Sequence, residues 1–398
     1  MSTTVSSSAE PFVERFDHQS PDFTPDLAPD VYRELRRRCP VAHTDAHDGY
    51  WVLTRYRDIF AAAKDHDTFS SAGGVFIPRP ENVPQFPPIE FDPPVHTALR
   101  NLMRPPFTTA AVKAVEPQIR SLVSELVDPI VEAGGGDLVA ELAVPLPLRV
   151  LSVVVGFSAN ATAKIRALSE QLWTRWAKDQ DSSSFLPAYA ALLGEEIAGV
   201  RAHPRDDYLS WLVGQEIMDR PVTDEELIGI LASLAIAGHE TTMNSAANLL
   251  LHLARTPLDQ ERLRREPALV PVAVEEGLRC WSATVNFART LTTDVTIDGV
   301  TIPAGDRVLL VYQAANRDPE EFPDPETFIV DRQPNHHVAF GQGIHFCLGA
   351  QLGRTELRLL LEELVTRRPP FSLTGDARRY FEGGVHQCVA TVPVTFGS

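Results

Sequence analysis

The residue best suited to redox chemistry is a cysteine at the end of a glycine-rich loop. Cys347 follows Gly341 and Gly343, and an apolar helical pattern begins directly after it. The free N–H groups and the positive end of that predicted helix favour a thiolate over a thiol. A thiolate shielded by apolar residues is a suitable axial ligand for heme iron, and it donates the electron density that favours O–O cleavage. The loop therefore predicts heme–thiolate chemistry.

Two other interpretations of this loop stay open. A lone cysteine is most often an ordinary buried residue without a chemical role. The run Gly341-Gln342-Gly343 also opens like a dinucleotide-binding fingerprint ahead of a helix. That fingerprint needs a third glycine at position 346, which is Phe346 here, within a strand–helix–strand unit. The helix after Cys347 leads instead to a proline pair and a short β-like tail.

A carboxylate and a hydroxyl lie side by side in the middle of the longest predicted helix. Thr223 and Glu226 form a predicted capping box, and apolar periodicity then continues to about Arg255. Glu240 and Thr241 lie near the centre, next to a glycine, and such a pair suits proton transfer. The alternative is a threonine bonded to its own i−4 carbonyl beside a surface glutamate.

Two further pairs of polar residues occur at helical spacing. Glu276 and Arg279 are three residues apart, and His96 and Arg100 are four apart, so each pair shares one face of a predicted helix. Such pairs are usually solvated, and each is a weak signal by itself.

Taken together, these segments resemble the cytochrome P450 superfamily, in its soluble, bacterial form. Residues 340–349 fill every defining position of F-x-x-G-x-H-x-C-x-G. Residues 237–241 match A-G-x-[DE]-T, 276–279 match E-x-x-R, and 92–100 match D-P-P-x-H-x-x-x-R. The motifs occur along the chain in the order typical of that family.

The resemblance implies the fold and the cofactor. The expected fold is mainly α with small β-sheets, a single triangular-prism domain of the cytochrome P450 type with a long central helix over a buried heme. We expect residues 1–30 to form a loose N-terminal arm and residues 31–398 to form one heme–thiolate monooxygenase domain. The implied cofactor is heme b (iron protoporphyrin IX), with Cys347 as the metal ligand. The residues implied in cofactor binding are His96, Arg100, Ala237, Gly238, Arg289, Phe340, Gly341, His345, Cys347 and Gly349.

The resemblance also assigns roles to the charged and polar residues. Glu240 and Thr241 would form the catalytic acid–alcohol pair, and Gly238 before them would loosen the helix to make room for O₂. Glu276 and Arg279 would form a buried structural core, joined by Arg332, that holds the thiolate loop. For Arg289 an exposed strand arginine is the alternative. The residues that would bind the heme propionates are His96, Arg100, Arg289 and His345.

Composition excludes several classes of partner. A formal net charge of −17 argues against nucleic acid. No apolar stretch is long enough to span a membrane and no signal pattern begins the chain, so we expect a cytoplasmic protein without a membrane partner. The sequence has no flavin, nicotinamide or iron–sulfur motif outside the cysteine loop. The expected electron donors are therefore a ferredoxin and its ferredoxin reductase.

The predicted reaction inserts one oxygen atom from O₂ into a small-to-medium, largely apolar organic substrate. Hydroxylation or O-dealkylation of a terpenoid or an aromatic compound is favoured by the apolar residues at the family's pocket positions. A peroxide-driven heme–thiolate peroxygenase and a non-catalytic heme-binding sensor remain as alternatives. The predicted pocket residues are Phe76, Phe86, Leu234, Val285 and Phe287.

Overall fold

A computed structural model of the chain describes residues 8–79, 83–176 and 186–397, without the side chains of residues 169–186. It is mainly helical with small sheets, as predicted. The described helices are α1 (Glu10–Glu14), α2 (Ala28–Arg38), α3 (Tyr56–Lys64), α4 (Val95–Met103), α5 (Thr109–Glu132), α6 (Pro145–Val155), α7 (Ala159–Trp176), α8 (Leu186–Ala202), α9 (Tyr208–Leu212), α10 (Asp224–Arg255), α11 (Pro257–Arg265), α12 (Val270–Cys280), α13 (Tyr312–Ala315) and α14 (Ala350–Leu361). The described strands are β1 (Val41–Thr44), β2 (Tyr50–Leu53), β3 (Phe69–Ser70), β4 (Gly135–Asp137), β5 (Glu216–Ile217), β6 (Arg220–Pro221), β7 (Phe287–Leu291), β8 (Val295–Ile297), β9 (Val300–Ile302), β10 (Arg307–Leu310), β11 (Phe371–Leu373), β12 (Arg379–Glu382), β13 (His386–Val389) and β14 (Pro393–Phe396).

The chain divides into two compact units. One boundary falls inside α12 and another directly after Cys347. The sequence predicted one domain over residues 31–398, and this stays a prediction. The sheet unit comprises Met1–Arg79, Glu275–Cys347 and Arg379–Cys388, and the helical unit comprises Pro80–Val274, Leu348–Arg378 and Val389–Ser398.

The sheet unit is built on a five-stranded sheet in the order β1-β2-β10-β7-β3. Strands β2 and β10 are parallel, and the other neighbours are antiparallel. Val52 and Leu309 point into one buried apolar cluster, whereas their neighbours Leu53 and Leu310 point into a second. Because successive side chains alternate between the faces of a strand, both faces of this sheet are covered, which explains the nearly continuous apolar residues of β2 and β10.

The N-terminal segment is packed, contrary to the loose arm predicted for residues 1–30. Phe16 and Phe23 are buried in the same cluster as Tyr32 and Val52, and α1 packs beside them. Residues 1–7 of the predicted arm lie outside the described residues. The prediction was wrong for the described part because its polar composition concealed two well-spaced aromatic anchors, each of which removes a large apolar area from water.

A tight hairpin turn occurs at Asp298 and Gly299. Strands β8 and β9 pair in an antiparallel register that places Ile297 opposite Val300. The two turn residues have positive φ angles, 52° at Asp298 and 81° at Gly299. This backbone suits a two-residue hairpin, for which Asp-Gly is a preferred sequence.

Helix α10 is the longest element of the helical unit and spans 32 residues. The predicted capping box is present, because the Thr223 hydroxyl accepts from the Glu226 N–H and the Glu226 carboxylate accepts from the Thr223 N–H. At 1.5 Å per residue the helix is about 48 Å long. Helices α6, α8 and α14 of the same unit pack against it. No helix in the described part of the chain is both long enough and apolar enough to cross a bilayer.

One carboxyl in the helical unit is buried without a charged partner. Glu356 on α14 is 2% exposed, and its Oε2 atom has no hydrogen-bond partner among the described residues. Burial raises the pKa of Glu356 to about 8, so the neutral acid dominates at pH 7.

Replacing this carboxyl should change how stability depends on pH. The folded state holds a proton that the unfolded state releases above its ordinary pKa of 4.5. Stability should therefore fall as pH rises from about 5 to 8, by up to roughly 1.4 kcal/mol per pH unit. Glu356→Gln removes this loss, so the free energy of unfolding of the variant should increase relative to that of the parent protein as pH rises. Thermal unfolding at pH 5, 6.5 and 8 measures the difference.

The control for that experiment is Glu195→Gln, which removes one negative charge from an exposed position on α8. A Glu356→Gln variant whose stability follows the parent at every pH would contradict the buried neutral acid.

Candidate active site

The loop that carries the cysteine has a defined backbone. The N–H of Cys347 donates to the carbonyl of Phe340 at 2.8 Å, which closes the loop on itself. Within it, the N–H of Phe346 donates to the carbonyl of Gly343 at 3.1 Å, across a single 3₁₀ turn that ends at His345. Helix α14 begins shortly after Cys347, as predicted, with Gly349 as its N-terminal cap residue.

Two glycines give this loop its shape. Gly341 and Gly343 both have φ near +68°, a conformation that glycine adopts without strain. A Cβ atom on Gly343 would lie 2.5 Å from the carbonyl oxygen of Ala63 and 2.9 Å from Cα of Lys64, at the end of α3. The loop therefore rests directly on the backbone of α3, and only glycine fits at position 343.

Cys347 differs from the other three cysteines. Cys280 and Cys388 are buried, whereas Cys39 and Cys347 are exposed. Burial raises the pKa of Cys280 to about 12, which makes it an inert thiol. Cys39 caps the end of α2 and has no glycine-rich loop around it. The alternative that Cys347 is an ordinary buried cysteine is therefore wrong.

A buried ion network lies in the same unit. Arg279 donates from Nε and Nη2 to the two carboxylate oxygens of Glu276, at 2.7 and 2.9 Å. Arg332 donates from Nε to the same two oxygens, at 2.9 and 3.0 Å. Glu276 and Arg279 are fully buried and Arg332 nearly so. Burial alone would raise the pKa of Glu276, but the hydrogen bonds from the arginines outweigh it and lower that pKa.

The network extends to residues that the sequence analysis missed. The Asn335 amide donates to Glu276 at 3.1 Å, and Arg279 donates to the carbonyl of Asn316 at 2.8 Å. The side-chain oxygen of Asn316 accepts from the N–H of Val338 at 2.7 Å. Val338 lies only two residues before the cysteine loop, so the charged core is linked to the start of that loop. No local pattern marks either asparagine.

Arg289 on β7 is buried, which excludes the exposed strand arginine given as its alternative. It is 2% exposed and donates from Nη1 to the carbonyl of Ala288. No carboxylate of the described residues forms an ion pair with it. A buried guanidinium is costly unless an anion accompanies it, so this donor fits the carboxylate of a heme propionate. His345 of the same unit is half-buried.

The other two predicted propionate donors lie on one helix of the helical unit. His96 and Arg100 are one turn apart on α4, as their spacing predicted. His96 is buried and Arg100 is half-buried. Both therefore present polar groups on the same face of α4.

The acid–alcohol pair lies on α10, and the structure combines features of both interpretations. The Thr241 hydroxyl donates to the carbonyl of Ala237 at 2.9 Å, the local bond expected of a structural threonine. Glu240, in contrast, is 4% exposed and is not the surface glutamate of that alternative. His239, which the sequence analysis did not single out, is buried with its Nδ1 3.4 Å from the Glu240 carboxylate.

Helix α10 continues through Gly238 without interruption, so the local weakening expected at this glycine is not observed. A Cβ atom here would lie 3.1 Å from Cδ1 of Leu151 on α6. Gly238 thus lets α6 approach closely, and packing is the role that the structure shows for it.

The predicted pocket residues fall into both units. In the sheet unit Phe76 and Phe287 form an edge-to-face pair with ring centroids 5.8 Å apart, and Val285 is buried nearby in sequence. In the helical unit Leu234 is buried on α10, and Phe86 is half-buried in the proline-rich segment ahead of α4.

The contact between Gly343 and α3 leads to a prediction with a matched control. Gly343→Ala adds both backbone strain at a positive φ, about 1–3 kcal/mol, and a clash with the Ala63 carbonyl. Gly299→Ala adds the same kind of strain in open space, since nothing lies within 4 Å of its Cβ position. We expect Gly343→Ala to lose most bound heme and Gly299→Ala to keep it, as measured by the heme-to-protein absorbance ratio. Equal heme content in the two variants would contradict the structural role of this contact.

Comparisons with known proteins agree with the motifs. Residues 193–368 match the family model described as "Cytochrome P450". The chain is 35% identical to a steroid C26-monooxygenase of Mycobacterium tuberculosis over 362 residues, and the aligned region covers 87% of each chain. It is 34% identical over 390 residues to a methyl-branched lipid omega-hydroxylase of Mycobacterium bovis, covering 92% of this chain and 90% of the relative.

Solved structures show the same fold. A Mycobacterium marinum cytochrome P450 in complex with pseudoionone superimposes with a TM-score of 0.87 and 29% sequence identity, over 99% of both chains. Members of this family bind heme and use an organic substrate, O₂ and a redox partner. Identity above 30% over most of the chain, together with this structural match, places the protein among these oxidoreductases: the chain belongs to the cytochrome P450 family.

Proposed function

We propose that the protein is a monooxygenase in which the Cys347 thiolate ligates the iron of heme b. The observation that carries this proposal is the cysteine loop: an exposed thiol follows two positive-φ glycines, and the loop backbone is closed by the Cys347 N–H bond to Phe340. Gly343 fixes the loop against α3. A loop fixed in this way can hold a sulfur atom at one position, as an axial ligand requires.

The heme, when bound, supplies the iron at which O₂ is activated. In our proposal the chain orients it through charged donors to its two propionates. Arg289 supplies a buried guanidinium, and His345 lies in the same unit. His96 and Arg100 supply further donors from one face of α4. The proposed cofactor-binding set is completed by residues of the cysteine loop, α10 and the start of α14, namely Phe340, Gly341, Ala237, Gly238 and Gly349.

Proton handling is assigned to Glu240 and Thr241. A hydroxyl that donates to its own i−4 carbonyl still accepts through its oxygen, and it can exchange these roles by rotating. Thr241 can therefore relay a proton without leaving its observed position. Glu240 is a buried carboxylate one residue away, and the ring of His239 lies beside it. Carboxyl and imidazole groups placed beside a hydroxyl are suited to general acid–base work.

The proposed substrate is a largely apolar organic compound of small to medium size, such as a terpenoid, a steroid or an aromatic compound. The named relatives act on a steroid and on a methyl-branched lipid, and the M. marinum structure contains pseudoionone. Phe76, Phe287 and Val285 provide apolar surface in the sheet unit, and Phe86 and Leu234 provide it in the helical unit. Such surfaces bind apolar ligands by removing them from water.

Electrons are proposed to come from a ferredoxin and its reductase. The family requires a redox partner, and the sequence contains no flavin, nicotinamide or iron–sulfur motif of its own. Turnover with hydrogen peroxide alone, at a rate that matches turnover with ferredoxin, reductase and NAD(P)H, would instead favour the peroxygenase.

The thiolate assignment is tested by replacing cysteines one at a time. Cys347→Ala should remove the thiolate-type heme spectrum, because no sulfur remains in the loop to ligate the iron. Cys39→Ala, at the other exposed cysteine, should leave that spectrum unchanged. The visible spectra of purified ferric and CO-treated ferrous proteins provide the measurement. A thiolate-type spectrum that survives in Cys347→Ala would overturn the proposal.

The proton assignment is tested on two adjacent threonines. Thr241→Ala should keep heme but lower product formed per NAD(P)H by roughly ten- to a hundredfold, with the electrons appearing as hydrogen peroxide. Thr242→Ala is the matched control, since the Thr242 hydroxyl lies toward α14, 3.9 Å from where a Cβ atom on Gly353 would be. Product and peroxide are measured with any steroid or terpenoid that shifts the heme spin state. Unchanged product yield in Thr241→Ala would exclude the assigned role.

A further inference from the structure

Two segments of the sheet unit that carry proposed pocket residues, and the hairpin formed by β12 and β13, are tied together by hydrogen bonds to backbone carbonyls. The first is the loop at 74–77. The N–H of Ala288 on β7 donates to the carbonyl of Val75 at 2.8 Å, and Arg307 on β10 donates to the carbonyl of Phe76 at 3.1 Å. This loop is therefore fixed to the central strands, and it brings Phe76 against Phe287.

The second segment is 283–287, which is bonded to the hairpin. The N–H of Val285 donates to the carbonyl of Val385 at 2.7 Å. The buried Asn286 amide donates to the carbonyl of Gly384 in the hairpin turn at 2.8 Å. These bonds fix the hairpin to the residues just before β7.

A side chain from the N-terminal segment joins the loop to the hairpin. The Gln19 amide nitrogen donates to the carbonyl of Ile77 at 2.9 Å and lies 3.4 Å from the carbonyl of Gly383. The N–H of Gln19 is itself held by the Asp17 carboxylate at 3.0 Å. One carboxamide thus donates to the backbone of both segments.

The hairpin turn is shaped to receive this segment. Gly383 and Gly384 have φ angles of 56° and 66°. A Cβ atom on Gly384 would lie 2.7 Å from the carbonyl oxygen of His18 and 3.0 Å from Cγ of Gln19. His18 is buried and bonds to the Tyr50 hydroxyl at 2.9 Å. The N-terminal segment therefore has a fixed position against the turn.

We propose that Gln19 is a positioning residue for substrate selectivity, which sets the spacing between the Ile77 loop and the Gly383 turn. This rests on the proposed function, which assigns to the pocket both Phe76, next to Ile77 in the loop, and Val285, which is bonded to the hairpin. Two neutral hydrogen bonds are a small part of the stability of a large unit, but their loss is enough to change a ratio of affinities about tenfold. Gln19 therefore acts on discrimination more than on folding.

The experiment compares variants that keep or remove the donor. Gln19→Leu and Gln19→Glu preserve the approximate length of the side chain but donate no hydrogen bond to the two carbonyls, whereas Gln19→Lys retains a donor. Gln215→Leu is the matched control, because Gln215 donates to the backbone carbonyl of Trp211 at an exposed site of the helical unit. The probes are imidazole and 4-phenylimidazole, whose nitrogen binds heme iron. Optical titration of the holoprotein gives a dissociation constant for each.

The ratio of the two dissociation constants is the informative quantity, since only the phenyl group must fit against the pocket wall. We expect this ratio to shift by about five- to tenfold in Gln19→Leu and Gln19→Glu. It should stay within about twofold of the parent in Gln19→Lys and Gln215→Leu. An unchanged ratio, whether or not the melting temperature falls, would show that Gln19 has at most a structural role and would overturn the proposal.

Two further outcomes are distinguishable. If Gln19→Leu takes up no heme, Gly384→Ala replaces it, because its Cβ would displace the turn from His18, and the same shift in the ratio is expected. An unchanged ratio in that variant also counts against the proposal. Parent protein that takes up no heme would overturn the proposed function itself, whereas heme-loaded parent and variants with equal ratios overturn only the role of Gln19.

Discussion

The sheet unit depends on one buried carboxylate. Glu276 is fully buried, and a charge in that environment costs several kcal/mol unless several donors surround it. Arg279 and Arg332 satisfy both of its oxygens, and their remaining N–H groups donate to carbonyls along residues 316–327. The backbone carbonyls of this irregular stretch thus receive hydrogen bonds from two guanidinium groups. The network is required because loss of any one member leaves the other charges buried and uncompensated.

The network around Glu276 is connected to the cysteine loop through a short series of hydrogen bonds. Asn316 accepts from Arg279 through its carbonyl and from the N–H of Val338 through its side chain, and the loop begins at Phe340. The loop is held a second time where Gly343 rests on α3, which belongs to the same unit. Neither contact involves the sulfur atom. The position of Cys347 is therefore set by a charged core, a backbone-to-backbone approach and the hydrogen bonds that close the loop.

Sequence patterns predicted the features that depend on neighbours within one turn or one loop. The capping box and length of α10 and the start of α14 follow from local hydrogen bonding and backbone preference, and the structure confirms them. The close approach of Leu151 to Gly238 and the stacking of Phe23 on Phe381 join residues that lie far apart in the sequence. No local pattern encodes such contacts. The resemblance to a family supplied Arg332 as the partner of Glu276, whereas Asn316 and Asn335 have no signature by which spacing alone would find them.

The two kinds of contact differ in how much change they tolerate. The charged core around Glu276 tolerates little change, because an unpaired buried ion costs about 3–5 kcal/mol, a large fraction of a typical stability of about 5–15 kcal/mol. Neutral bonds such as those of Gln19 and Asn286 contribute about 1 kcal/mol each, so the unit can remain folded when one is altered. Their carbonyl acceptors belong to a loop and a turn rather than to the central strands of the sheet. The charged core is therefore suited to holding the cysteine loop in one position. The neutral bonds are suited to adjusting which substrates the protein prefers. The N-terminal segment takes part through neutral bonds of this kind, because the Gln19 amide donates to the carbonyls of both Ile77 and Gly383.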